Sequence, residues 1–516
     1  MNGAQALIRT LVDCGVEVCF ANPGTSEMHF VAALDAVPEM RGVLCLFEGT
    51  VTGAADGYGR MKGSPAAALV HLGPGLGNGI ANLHNARRAR TPLVAVVGDH
   101  ATYHKRLDAP LESDIDSLAW PVSKWVRRSL RAADVGADAA DAVAVATAPP
   151  GGVATLILPA DVSWTEGSEP APPVLRRVPH PVSGEAAGSA AKALRSGEPC
   201  VIFLGGAGLR RPALAAASRI SVATGARLLG ETFPARHERG AGIPAVDRLA
   251  YLGEFAAMQL AGTRHLILAG ARSPVTFFAY PGMPGSLVPD GCQVHVLAEP
   301  GEDVAGALAS LADLVAAAAA PAPQPAGRPG LPGGELTAET AAAVIGALLP
   351  ADAIVCDESA TSSVFLPAAT AGAPPHDWLT LTGGAIGQGL PLAAGAAIAC
   401  PDRPVIALEA DGSAMYTISA LWTHAREQLD ITTVIFGNRS YAILAMELDR
   451  VGAVATGEAA RSLLSLTRPA LDFTALAAGL GVPASRATTA EEFAAQFRRA
   501  LAEPGPHLIE AIIPGL

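Results

Sequence analysis

The sequence predicts an α/β protein built from three doubly wound parallel-sheet domains. Three observations carry that expectation. Apolar strand-like runs alternate with helix-like stretches along the chain, which is the grammar of β-α-β units and parallel sheets. Half of the 516 residues are apolar, 16% are charged and 5% are aromatic. An Ala-, Gly- and Val-rich composition of this kind suits helices packed closely on buried parallel strands. Two proline-dense tracts, 164–183 and 319–334, interrupt the pattern. Such tracts are extended and stay out of a core, so they read as linkers. The segments between them are 1–163, 184–318 and 335–516.

Composition also excludes some functions. The net charge is −12 with no block of like charges, which argues against nucleic acid as a partner, because phosphate neutralisation needs clustered Lys and Arg. Seven scattered cysteines form no CxxC pair, so reduced thiols in a cytoplasmic protein are expected rather than a metal or disulfide framework. No apolar run reaches the roughly 18 residues a membrane helix needs, and the alanine run at 316–320 ends in prolines. The N-terminus lacks a basic leader region, and Leu7, Leu11 and Val12 with Arg9 and Asp13 read as an amphipathic helix. A soluble, cytoplasmic protein with no membrane partner is expected.

In the first segment, Asn22-Pro23-Gly24-Thr25-Ser26 precedes a helix from Glu27 to Leu34. Thr25 and Ser26 either hold a substrate carboxylate or cap that helix. The apolar run Leu44-Cys45-Leu46-Phe47 reads as a strand ending at Glu48, followed by a small-residue helix. A carboxylate there is poorly solvated and needs a partner or a task, unless it only caps the helix. Val70-His71 enters the turn Gly73-Pro74-Gly75, so His71 is a pocket acid–base group or a structural histidine. His100 and His104 follow Leu93–Asp99 and lie near a pocket mouth or on a surface loop. In the middle segment, Val201–Leu204 enters Gly205-Gly206-Ala207-Gly208, but Arg211 stands at the third glycine position and no acid follows a clear strand. That is a plain Rossmann-like connection rather than a full dinucleotide fingerprint.

The third segment repeats the grammar of the first: strand, glycine-rich turn (Gly383 to Gln388), helix, Pro404, strand, acid. Val405–Leu408 leads to Asp411, Met415 to Gln428 reads as a helix, and Ile431–Phe436 leads to Asn438. Asp411 and Asn438 are then expected at the C-terminal ends of neighbouring parallel strands, where ligands of open α/β sheets bind. A carboxylate and an amide oxygen suit Mg²⁺ with substrate phosphates, and Gly412 lets a phosphate approach the backbone. A nucleotide enzyme has use for the same pair, and an N-cap with a turn residue is the plainer alternative.

Taken together, Glu48 with its Ala-Ala-Asp-Gly-Tyr helix, Gly73-Pro74-Gly75, Gly383-Gly384-Ala385-Ile386-Gly387-Gln388-Gly389-Leu390-Pro391 and Asp411-Gly412 … Asn438 resemble the thiamine-diphosphate-dependent 2-oxo acid decarboxylase and acetolactate synthase family. The run Asp411 to Thr423, Asn22-Pro23-Gly24-Thr25 and His71 are most similar to benzoylformate decarboxylase. The resemblance implies a pyrimidine-binding, a central Rossmann-like and a diphosphate-binding domain. It implies that Asp411, Asn438 and the Ser440 carbonyl hold Mg²⁺, and that Gly412 and Ser413 meet the diphosphate, with Tyr441 also at the cofactor. Ile386 would bend the cofactor, the Gly384 carbonyl would accept from its amino group, and Glu48 would bind its pyrimidine nitrogen from a partner subunit. A dimer, or a dimer of dimers, is the implied assembly. The implied chemistry is loss of carbon dioxide from a 2-oxo acid, giving an aldehyde, or, with an aldehyde or second 2-oxo acid as acceptor, a 2-hydroxy ketone.

Three departures from the family pattern stand out, the first at the metal site and the other two bearing on the substrate. Ala410 replaces the usual glycine, a small change. Leu444 stands where pyruvate decarboxylases of the family place an acid, and Phe277 and Phe278 stand where benzoylformate decarboxylase would show a second histidine. Phe278, Ile443 and Leu444 are pocket candidates, although Ile443 and Leu444 equally suit a helix face turned to the core. The resulting function is a decarboxylase or carboligase on a medium-sized apolar 2-oxo acid, and efficient turnover of benzoylformate is not expected. An acetolactate synthase is the alternative; that family carries FAD in the middle domain, and the imperfect glycine turn argues against FAD here. A catalytically idle cofactor-binding homologue is the third reading, against which Glu48, Asp411 and Asn438 all stand.

Overall fold

The computed structural model describes residues 1–453 and 457–515. Its strands are β1 (Val18–Asn22), β2 (Arg41–Leu44), β3 (Ala66–Val70), β4 (Leu93–Asp99), β5 (Trp125–Arg128) and β6 (Val153–Pro159), then β7 (Cys200–Leu204), β8 (Arg227–Gly230), β9 (His237–Arg239), β10 (Asp247–Arg248), β11 (His265–Ala269) and β12 (Gln293–Ala298), and finally β13 (Ile354–Glu358), β14 (His376–Thr380), β15 (Val405–Ala410), β16 (Ile431–Gly437), β17 (Ala484–Ala487) and β18 (His507–Ile512). They form three sheets, ordered β2-β1-β3-β4-β6-β5, β10-β8-β7-β11-β12 and β17-β18-β16-β15-β13-β14-β9. Strands such as β3, β4 and β16 are buried along their whole length, as expected of parallel strands covered by helices on both faces.

One strand departs from the expected pattern. β9, from the middle stretch of the chain, pairs antiparallel with β14 at the edge of the third sheet. Arg236, just before it, donates to Asp377 on β14 at 2.5 Å, and Arg403 donates to the other oxygen at 2.7 Å. The two guanidinium groups neutralise a buried carboxylate, and that pins the strand there. Residues 165–183 and 316–334 contain no helix or strand. Among the described residues no helix is long and apolar enough to cross a membrane.

Strands of the first and third sheets contribute to one continuous apolar cluster, whereas the middle sheet has its own. The seam runs between the helices Glu48–Lys62 and Gly389–Ala399. A Cβ on Gly57 would lie 2.1 Å from the Leu392 carbonyl oxygen, and one on Gly395 would lie 1.8 Å from that of Ala54. The missing side chains let the two backbones touch. Gly395→Ala is therefore expected to destabilise the fold by roughly 1–3 kcal/mol, read as a lower apparent melting temperature. An unchanged melting temperature would mean that the helices separate at no cost.

Of the helix expected from Met415 to Gln428 only Ala420–Arg426 is helical, and a separate short helix, Asp411–Ala414, precedes it. Thr417 between them donates its hydroxyl to the Gly387 carbonyl at 3.0 Å, and Tyr416 packs on Gly387. The chain bends there to meet the glycine-rich loop.

Candidate active site

Parallel pairing sets the first group of residues. β15 and β16 are neighbours, with Ala410 opposite Phe436, so Asp411 and Asn438 emerge side by side at the C-terminal edge. Asp411 is 3% exposed. Its oxygens accept from the Gly412 amide (2.8 Å) and the Arg439 amide (2.6 Å), and burial raises its pKa above the ordinary carboxylate value. Asn438 Oδ1 accepts from the Ser440 amide at 3.0 Å. Arg439 between them is left-handed, at φ +57°, a strained turn for a residue with a Cβ. The Tyr441 ring lies on Gly412, where a Cβ would meet it at 2.4 Å, and Ser413 is buried beside them.

The second group comes from the first sheet. The strand expected to run up to Glu48 stops at Leu44, and Glu48 instead opens the helix Glu48–Lys62, where the N-terminal amides favour an acid. It is 8% exposed. Its Oε2 accepts from Asn78 at 3.0 Å, and Gly73-Pro74-Gly75, read from sequence as a turn, instead opens the helix Leu72–Ala89, which comes so close at Gly75 that a Cβ there would lie 2.9 Å from Oε1. β1 and β3 are adjacent, with Asn22 opposite Val70, which brings the Gly24–Glu27 turn to His71. His71 Nδ1 lies 2.7 Å from Glu27 Oε2, which also accepts from the Gly24 amide at 2.7 Å. Glu27 is 2% exposed and its pKa is raised by burial. Its Oε1 has no hydrogen-bond partner among the described residues. Gly24 and Gly98 make room for the pair, since a Cβ on either would overlap His71 or Glu27.

Sequence reasoning missed Glu27 and Asn78. Glu27 is an acid directly after the Pro-Gly-Thr-Ser turn, a signal that gains meaning only once β1 and β3 are known to be neighbours. Thr25 is exposed and Ser26 half-buried, and neither side chain makes a hydrogen bond among the described residues, so helix capping is not what they do. If Glu27 acts through His71, Glu27→Gln and His71→Ala are expected to be strongly non-additive in kcat. A double-mutant cycle that sums would separate the two.

The glycine-rich loop lies between the two groups. Asn82 donates to the carbonyls of both Gly49 (2.8 Å) and Gly387 (3.1 Å). Asn85 holds the carbonyl and the amide of Ala385. Gly384 (φ +75°) and Gly387 (φ +91°) adopt backbone conformations that favour glycine, and Ile386 is half-buried between them. Among the described residues no hydrogen bond joins Glu48 or His71 to Asp411 or Asn438.

The remaining candidates sit around this loop. Phe277 packs on Gly384, 2.6 Å from where a Cβ would be. With Phe233, Tyr251 and Phe278 it forms an aromatic cluster whose ring centroids are 5.0–6.1 Å apart. Leu444 is 47% exposed and Ile443 half-buried, so their helix face is not a core face. His100 is half-buried and its ring lies 5.4 Å from that of His104. Burial lowers the His100 pKa, and its Nε2 has no partner among the described residues.

The middle sheet corrects one sequence reading. An acid does follow a strand at the dinucleotide-fold position, since Glu231 comes directly after β8. The strand was missed because it is only Arg227–Gly230. Glu231 Oε1 accepts from the Gly206 amide at 3.1 Å, and Gly205 and Gly270 meet backbone to backbone, with a Cβ on Gly270 only 2.6 Å from the Gly205 carbonyl oxygen. The chain's own carboxylate thus takes an amide of the glycine turn that a phosphate would otherwise use.

Comparison with known proteins decides the family. Residues 1–120 match the thiamine pyrophosphate enzyme N-terminal TPP-binding domain and residues 361–511 the C-terminal TPP-binding domain. Benzoylformate decarboxylase of Pseudomonas aeruginosa is 32% identical over 96% of both chains. The chain belongs to the thiamine-diphosphate-dependent 2-oxo acid enzymes. A Mycobacterium tuberculosis protein, provisionally named acetolactate synthase large subunit IlvX, is 65% identical over the full length of both chains. Among solved structures of the family, the thiamine diphosphate-dependent 4-hydroxybenzoylformate decarboxylase of Rhodococcus jostii RHA1 superposes with a TM-score of 0.86, at 26% identity over 100% of this chain and 99% of that one.

Proposed function

We propose that this enzyme cleaves a 2-oxo acid with a large apolar side chain, releasing carbon dioxide and giving an aldehyde or, with an acceptor carbonyl, a 2-hydroxy ketone. The observation that carries the substrate class is the aromatic cluster of Phe233, Tyr251, Phe277 and Phe278 against Gly384. Flat apolar rings favour an apolar, above all an aryl, side chain.

Bound thiamine diphosphate supplies the carbon nucleophile and the electron sink for carbon–carbon cleavage. The donor set fits it with Mg²⁺, because a buried carboxylate, a side-chain amide and the Ser440 carbonyl are hard oxygen donors. Asp411, Asn438 and Ser440 would hold the ion, and Gly412 and Ser413 the diphosphate, with Tyr441 alongside. Ile386 would impose the bend, the Gly384 carbonyl would accept the amino group, and Glu48 would hold a proton at the pyrimidine ring nitrogen. With Nδ1 tied to Glu27, His71 keeps Nε2 as the nitrogen that exchanges a proton with substrate or product. Thr25 and Ser26 offer unengaged hydroxyls for the substrate carboxylate, while His100, Ile443 and Leu444 complete the pocket. The active unit in this reading is a homodimer in which Glu48 serves a second copy, checked by sedimentation at assay concentration.

The test is a panel of aliphatic and aryl 2-oxo acids, with and without aldehydes, assayed for carbon dioxide and hydroxyketone. Aryl or bulky substrates are expected to exceed pyruvate; turnover of pyruvate alone, to acetolactate, overturns the proposal. The acetolactate synthase reading is kept in view by the name of the 65% identical relative. The hold of Glu231 on the Gly206 amide counts against its flavin form, for which a yellow purified protein is the simplest check.

A further inference from the structure

The glycine-rich loop is held from below by a residue no part of the reaction accounts for. Glu358 ends β13 and is 4% exposed. Its Oε1 accepts from the Gly387 amide (2.6 Å), and its Oε2 from the amides of Gln388 (2.7 Å) and Gly389 (2.5 Å). Three consecutive amides at the start of the helix Gly389–Ala399 thus converge on one carboxylate, the arrangement that helix N-termini offer to anions. Gln388 is fixed a second time, its Nε2 donating to Asp56 at 2.6 Å, and Asp56 itself takes two bonds from Arg60. On the other side Asn85 brackets Ala385. Ile386 is the residue left between these two clamps. Behind them lies Glu409, wholly buried and without a hydrogen-bond partner among the described residues. A Cβ on Gly389 would lie 1.9 Å from it, so the loop has no room to settle lower.

We propose that Glu358 is a positioning residue for the cofactor: by gathering the amides of 387–389 it sets the height of Ile386 and of the Gly384 carbonyl, and so the bend imposed on thiamine diphosphate. The inference rests on Ile386 and Gly384 acting as stated above. A displacement of about 1 Å at such a contact is enough to cost on the order of 10²-fold in rate, while the diphosphate anchor at Asp411 is untouched.

The test compares Glu358→Gln, Glu358→Asp and Ile386→Ala with the parent enzyme in three measurements. Amide hydrogen exchange at 387–389 in the cofactor-free protein is expected to speed up by about tenfold or more in both Glu358 variants. Thiamine diphosphate affinity with Mg²⁺ is expected to fall by less than about tenfold, because the diphosphate contacts remain. Exchange of the cofactor's C2 proton is expected to slow by about 10²-fold. Glu358→Asp keeps the charge but falls a methylene short, so it should behave like Glu358→Gln. Full recovery in Glu358→Asp, or C2 exchange at the parent rate in Glu358→Gln, overturns the inference. A Glu358→Gln protein that does not fold leaves Glu358→Asp to decide by the same criteria. If Ile386→Ala also leaves C2 exchange unchanged, the functional reading of the loop fails instead.

Discussion

Glu48→Gln is expected to leave thiamine diphosphate affinity within about threefold and to lower turnover by roughly 10²–10⁴-fold, the usual contribution of a positioned acid–base group. The substitution is nearly isosteric, which matters because Glu48 is 8% exposed and hemmed in by Gly75. Asn78, which donates to Glu48 Oε2 at 3.0 Å, still finds an oxygen on glutamine. What disappears is the anionic acceptor. Calorimetric titration with cofactor and Mg²⁺ reads the first half of the expectation, and the rate of C2 proton exchange in the bound cofactor reads the second. An exchange rate equal to the parent's removes Glu48 from the reaction.

Asp411→Ala is expected to weaken Mg²⁺-dependent thiamine diphosphate binding by about 100-fold or more, since a hard cation in such a site has few protein ligands to lose. The cofactor-free protein loses the two amide bonds that Asp411 accepts, a cost of about 1–3 kcal/mol. Burial nevertheless raises the pKa of Asp411, so ionising it does not favour the cofactor-free fold. Its contribution is fully present below the ordinary carboxylate pKa and is lost as pH rises through the raised folded value. Stabilisation by Mg²⁺ and cofactor should accordingly grow as pH rises over that interval, and Asp411→Ala should abolish that growth. Thermal unfolding with and without Mg²⁺ across the interval measures it. A variant that still binds cofactor in a Mg²⁺-dependent way would place the ion elsewhere.

Much of the fold was legible residue by residue. The apolar runs before Asp411 and Asn438 became β15 and β16, adjacent and parallel, and both side chains lie at the predicted edge. That succeeded because a buried parallel strand leaves a local record, an apolar run that stops at a polar residue. The same rule placed Glu48 one element too early. Leu44 to Phe47 is apolar enough for a strand, yet the strand ends at Leu44 and Glu48 belongs to the next helix. Composition does not distinguish the last residues of a buried strand from the turn after it. The helix from Met415 onward failed for another reason: Thr417 satisfies the Gly387 carbonyl, a tertiary bond that local propensity does not register.

The middle of the chain was the least legible. Glu231 was not recognised because four residues of strand are too few for a periodicity, and β9 left its own sheet for an ion pair with Asp377. Glu27 was read as the start of a helix, whereas its carboxylate is buried against His71.

By itself the sequence determined the fold class, the strand ends that carry Asp411, Asn438 and His71, and the family whose cofactor those residues suit. The strand ends rest on spacing within one β-α-β unit, which covalent geometry and hydrophobic burial settle locally, whereas the family rests on a resemblance carried by motifs from both ends of the chain taken together. Only the tertiary structure decided that Glu27 orders His71, that Glu358 grips the loop around Ile386, and that Glu231 takes the Gly206 amide. Each of those pairs brings a carboxylate to groups on another element. Strand order sets the distance between them, and the cost of leaving a buried carboxylate unpaired selects the partner.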